Sequence, residues 1–121
     1  MTIVDVFKLL SDTSRLRILY LLNHNEDICV CEFEYILGLS QPNISKHLNN
    51  MKKMGVVEDE KKDKFVFYRL SEEFLSQFLF VSESLKETGK FEVCKKDYEK
   101  LQEYKKSDLC CTTLSRINMS K

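Results

Sequence analysis

A mainly α-helical fold with one small β-hairpin is what this chain predicts, and three observations carry it. Apolar residues recur at helical spacing over most of the 121 positions. The spacing switches to a period of two only around residues 56–70, where β-branched and aromatic residues flank a charged tip. Punctuation is sparse, with one proline and three glycines, so helices run between few stops. A chain of this length that is 43% hydrophobic suffices for one domain with a real core.

The elements follow in order. Ile3, Val4, Phe7 and Leu10 form one stripe and predict a first helix near 2–11, after which Ser11, Asp12 and Thr13 offer caps. Leu16, Leu19, Tyr20 and Leu22 carry a second helix near 13–23, and His24-Asn25-Glu26 is a turn. Asp27 is placed to cap a third helix with Val30, Phe33, Ile36 and Leu37 inside, and Gly38 stops it by taking the left-handed conformation at low cost. Ser40 caps a fourth helix that tolerates Pro42 in its first turn and turns Ile44, Leu48 and Met51 inward, with Gly55 at its end. Val56-Val57-Glu58 and Lys64–Leu70 read as strands around the tip Lys61-Lys62-Asp63. Ser71 caps a fifth helix whose stripe runs Phe74, Leu75, Phe78, Leu79, Ser82, Leu85. After Gly89 a sixth helix puts Cys94, Tyr98 and Leu101 on one face, with Lys105 extending it. Residues 107–121 are polar and expected to be loosely held. One domain is expected throughout, with 1–90 as its body and 91–121 as a C-terminal helix and cysteine-containing tail of the same domain.

Composition narrows the function. The 19 basic and 19 acidic residues cancel, and residues 1–70 hold ten of each, so a nucleic-acid surface must come from local placement. No apolar run is long enough to span a membrane. The opening Met1-Thr2-Ile3-Val4-Asp5 lacks the basic and apolar regions of a secretory signal. A cytoplasmic, reducing setting is therefore expected, in which five cysteines point to free thiols or a soft-metal site. No phosphate loop, nucleophile elbow or HExxH pattern occurs, so neither catalytic residues nor a small-molecule substrate are expected.

Helix, glycine-containing turn, helix and hairpin form the plan of a winged helix-turn-helix, whose second helix enters the major groove with its N-terminal residues on base edges. Gln41 and Asn43 can bond adenine bidentately, and Ser45 can bond bases or phosphate. Lys46, His47 and Asn49 add donors, and residues 41–54 carry three lysines and no acid. On the hairpin, Lys62 and Lys64, with Lys61 and Arg69 nearby, stand where a wing meets phosphates, diluted by Glu58, Asp59, Glu60 and Asp63. Double-stranded DNA is the expected partner.

Cys29 and Cys31 lie just ahead of this element. On a helix, residues i and i+2 point about 200° apart. Sharing one ion would therefore require the helix to unwind near Ile28–Glu32. A helix N-terminus also favours thiolate over thiol. The vicinal Cys110-Cys111 pair has three readings: a second site, completion of the first across a dimer, or incidental thiols in a tail. Cys94 reads as core packing, with a third ligand beside the tail pair as the alternative. A thiol redox or persulfide sensor would use the same fold, but Cys29 and Cys31 are too close for an easy bridge.

Four blocks in order resemble the ArsR/SmtB family of metal-responsive winged-helix repressors: Leu9-Leu10-Ser11-Asp12-Thr13-Ser14-Arg15-Leu16-Arg17-Ile18-Leu19, Ile28-Cys29-Val30-Cys31-Glu32-Phe33, Leu39–Leu48, and Phe67-Tyr68-Arg69-Leu70. The second block is similar to the thiolate box of the arsenic- and cadmium/lead-responsive branch, and the third to the family's recognition helix. The resemblance implies a homodimer joined through the first and fifth helices, and repression of a resistance operon relieved by metal. It implies trivalent arsenic or antimony as inducer, with cadmium(II) or lead(II) as alternatives. Ser82-Glu83-Ser84-Leu85-Lys86-Glu87 lacks the histidines of the zinc-sensing branch, no cysteine precedes Cys29, and Glu34 stands where one arsenic-sensing pattern has a third cysteine. A third sulfur must then come from elsewhere.

Overall fold

The computed structural model describes residues 1–24 and 27–119, with side chains to Ser115. Helix α1 (Ile3–Leu10) begins with a capping box, in which the Thr2 hydroxyl accepts from the Asp5 N–H and the Asp5 carboxylate accepts from the Thr2 N–H. Helix α2 (Thr13–His24) follows, its Arg15 N–H held by the Asp12 carboxylate. Strand β1 (Ile28–Cys29) leads into α3 (Val30–Leu37). Gly38 ends α3 at φ 69, and since an added Cβ would meet nothing within 4 Å, the backbone angle alone asks for glycine there. Ser40 caps α4 (Gln41–Lys53) by accepting from the Asn43 N–H. Strands β2 (Val57–Lys62) and β3 (Phe65–Leu70) precede α5 (Glu72–Gln77), α6 (Phe80–Glu87), a 3₁₀ turn at Thr88–Lys90, α7 (Glu92–Lys106) and α8 (Cys111–Met119).

Phe33, Ile18, Leu19, Leu21, Ile44, Leu48, Met51 and Leu85 are fully buried in one core. Each such side chain contributes about 1.5–3 kcal/mol on leaving water. Ile44, Leu48 and Met51, at spacings of four and three, seat α4 on this core and leave its other face to solvent. Among the described residues no helix is long and apolar enough to cross a membrane.

Five expectations give way to tertiary contacts. The hairpin belongs to a three-stranded antiparallel sheet of order β1-β3-β2, because β1 pairs Ile28 with Tyr68 and Cys29 with Phe67. That pairing holds Cys29 extended, so α3 starts at Val30 with Cys29, not Asp27, as its N-cap; Asp27 itself has φ 62. The hairpin turn is Asp63-Lys64 between the paired Lys62 and Phe65, so Lys61 and Lys62 belong to the strand. The long fifth helix is two, broken at Phe78 (φ −126, ψ 75), whose ring packs between those of Phe74 and Phe80. The tail is not loose: α8 docks on α3 with Cys111 and Leu114 buried.

Helix α7 acts as a splint along α3. Its inward residues are Cys94, Asp97, Leu101 and Tyr104, so the predicted stripe is shifted and Tyr98 stays exposed. Asp97 and Tyr104 are two turns apart on one face. Asp97 holds Arg17, whose Nη2 also donates to the Leu37 carbonyl at the end of α3. Tyr104 donates to Glu32 at the start of α3.

Candidate metal centre and nucleic-acid interface

Cys29 ends a strand and caps a helix (φ −93, ψ 168), so its side chain is not bound by helical spacing. Its Sγ lies 3.1 Å from the Cys31 Sγ. Cys111, the first residue of α8, brings a third Sγ to 2.9 Å from that of Cys29. All three sulfurs lie within 4.8 Å of one another. The expectation that α3 must unwind for Cys29 and Cys31 to face one ion is thereby overturned, because β1 removes Cys29 from the helix. The structure thus brings the sulfur of Cys111 to the pair within one chain. Cys94 lies elsewhere, buried on α7 near Thr88 and Arg17, and Cys110 is exposed with its sulfur 3.4 Å from the Thr113 hydroxyl.

The trio is gathered closely enough to share one ion, which would spread the 3.1 and 2.9 Å contacts slightly. A metal about 2.3 Å from each sulfur, as for zinc thiolates, sets sulfurs roughly 3.8 Å apart at tetrahedral angles. No histidine or fourth cysteine joins the cluster among the described residues. His24 packs against the rings of Tyr20 and Tyr98, and His47 lies 4.0 Å from the Asp12 carboxylate.

The thiols are electrostatically unequal. The hydrogen bond to Cys31 and then burial push the Cys29 thiol up. The same bond holds Cys31 down at about 7. Burial pushes Cys111 up to about 12. Cys31 therefore loses its proton most readily of the three and, being half-exposed, is the nucleophile from which ligand exchange would start. Glu32 orients the site: one carboxylate oxygen accepts the Cys29 N–H at 3.0 Å and the other accepts the Tyr104 hydroxyl, whose own proton is held more tightly by burial and then by that bond. Sequence reasoning missed Glu32 and Tyr104, and Arg17 with Asp97. One signal was available, since Asp97 falls three residues after Cys94 and four before Leu101, and a carboxylate at a core position demands a partner.

The residues expected at DNA differ in how the structure places them. Gln41, Lys46 and Asn49 of α4 are exposed, and Asn43 and Ser45 are half-exposed. His47 is turned toward Asp12, its side chain only 13% exposed. Lys62 is tied to Asp27 at 3.3 Å and lies over the Phe67 ring. Lys64 is exposed in the wing turn, while Lys52 is paired with Asp59 at 2.8 Å. A cavity of about 650 Å³ joins the two regions, lined by Cys29, Cys31, Tyr68, Gln41 and Lys64 among others.

A helix-turn-helix with a β-wing and a thiol cluster at the foot of its first helix defines the class: a winged helix-turn-helix regulator. The family model described as bacterial regulatory protein, arsR family, matches residues 12–59, from the cap of α2 into β2. The cadmium resistance transcriptional regulatory protein CadC of Listeria innocua is 45% identical over 62 residues, 51% of this chain and 52% of that protein. The arsenical resistance operon repressor of Escherichia coli is 43% identical over 68 residues, 56% of this chain and 58% of that protein. This chain thus spans little more than half the length of these curated relatives. The solved structure of reduced HlyU from Vibrio cholerae superposes with a TM-score of 0.60 at 30% identity, covering 72% of this chain and 84% of that one. The chain belongs to the ArsR family.

Proposed function

We propose that the protein is a transcriptional repressor that binds operator DNA as a homodimer and is released when trivalent arsenic or antimony is held by Cys29, Cys31 and Cys111. The observation that carries this reading is the three-sulfur cluster, at the head of the helix that packs on α4. Soft thiolates select soft ions, and zinc sites normally take four ligands. Three sulfurs without histidine suit a low-coordinate thiophilic ion. The relative named for cadmium resistance supports cadmium(II) as the second reading.

The chain's own parts supply the coupling. Bound, the ion would join β1 and the start of α3 to α8 through sulfur. The thiol protons of Cys29 and Cys111 would leave. Glu32 fixes the Cys29 backbone and Tyr104, so a shift there reaches α7. At the other end of α3, Arg17, held by Asp97, donates to the Leu37 carbonyl, one residue before the Gly38 turn into α4. DNA and ion then favour different settings of α3 and α4, a coupling free energy of the usual few kcal/mol. The dimer would use the exposed apolar residues Ile3, Val4 and Phe7 of α1 with Leu79 beside α6. DNA binding of this kind implies the cytoplasm.

The test is an operator-binding titration with arsenite, using the parent and the Cys29→Ser, Cys31→Ser and Cys111→Ser variants. Each variant is expected to bind DNA and to resist release. If all three let go at the parent's arsenite concentration, the trio is not the sensor. Three sulfurs per bound arsenic by X-ray absorption is the expected ligand count.

A further inference from the structure

Two cavities reach the sulfur trio, and both run under the wing turn. The first, lined by Cys29 and Cys31, has Gln41 of α4 on its wall together with Lys64 of the wing. The second, about 870 Å³, reaches Cys111 from the other flank and is lined by Lys62, Lys64 and Cys110. Lys64, Phe65 and Ser115 border both. In a winged helix the first residues of the reading helix enter the major groove and the wing meets phosphates. A duplex touching both Gln41 and Lys64 must span the gap between them, and the first cavity lies in that gap.

We infer that bound operator DNA roofs the route to Cys31, so that the sugar-phosphate strand and a thiophilic reagent compete for access to the same cavity. This rests on the proposed DNA-binding reading and goes further, since a site that acts only at a distance would leave its thiols reachable in the complex. Gln41, Lys64 and Ser115 give the rim neutral and cationic groups that suit a phosphate strand, and Glu34 is the one carboxylate on the first cavity. Under this arrangement the reagent reaches Cys31 chiefly in the free fraction of the protein.

The experiment is iodoacetamide alkylation of the full chain, with Cys31 modification followed by peptide mass spectrometry and duplex occupancy by fluorescence anisotropy in the same sample. At 90% occupancy, Cys31 alkylation is expected to slow to about a tenth of its free rate, tracking the unbound fraction. Raising salt until the duplex dissociates should restore the free rate, as counterion release weakens the complex. Full occupancy with an unchanged Cys31 rate overturns the inference and leaves the repressor reading standing. Failure to bind any duplex at low salt overturns the repressor reading and the inference with it.

Discussion

Replacing Asp97 by asparagine should unfold this protein at a markedly lower temperature, although Asp97 lies outside both the thiol cluster and the DNA surface. Asp97 accepts two hydrogen bonds from Arg17, at 2.8 and 2.9 Å. The side chains are only 14% and 4% exposed, so solvent screens the pair little. The bond and the nearby carboxylate raise the affinity of Arg17 for its proton, so the arginine cannot escape by neutralising. Removing one partner of a buried pair costs about 3–5 kcal/mol, and asparagine keeps one acceptor, which puts the expected loss near 3 kcal/mol. For a domain of this size, about 4 °C per kcal/mol gives a Tm lower by about 12 °C. Thermal melts by circular dichroism at one fixed protein concentration measure it, since dimerisation makes Tm concentration-dependent. Combining Asp97→Leu with Arg17→Leu should cost less than the two single changes added, because neither charge is then left alone. A melt of Asp97→Asn within about 3 °C of the parent would refute the reasoning, since by the same scaling the pair would then contribute less than 1 kcal/mol.

Two further expectations follow from the same structure. Burial holds His24 and His47 below the ordinary value of 6.5, so between their folded values and 6.5 the unfolded chain binds more protons. Stability should therefore be fully present above about pH 6.5 and fall as the pH drops below it; urea unfolding at pH 7.5 and 5.5 measures this, and His47→Gln should flatten the slope. Phe7 is 56% exposed and Leu79 74% exposed, so Phe7→Asp combined with Leu79→Asp should leave the fold intact and yield monomers in sedimentation velocity. A double variant that still sediments as a dimer would place the dimer interface elsewhere.

The sequence by itself determined the helix-turn-helix and its wing. The signals there are local: Ser40 one residue before α4, Gly38 at the end of α3, the spacing of Ile44, Leu48 and Met51, and the change to a period of two at β3. Two of the three sulfurs were legible for the same reason, because Cys29 and Cys31 sit beside that element. Their geometry was not. Whether residue 29 is helical depends on β1 pairing with β3, nearly forty residues away, and only that pairing turns an awkward helical spacing into neighbouring sulfurs. Phe78 broke a stripe that reads as continuous, because its ring is held between those of Phe74 and Phe80. Cys111 joined the cluster because α8 packs on α3 and buries Leu114 in the core, a docking that a mostly polar tail does not announce. Side-chain periodicity reports which face of an element is apolar; only the packed structure decides what that face meets, and in this protein that closure brings in the third sulfur and the buried Arg17–Asp97 pair.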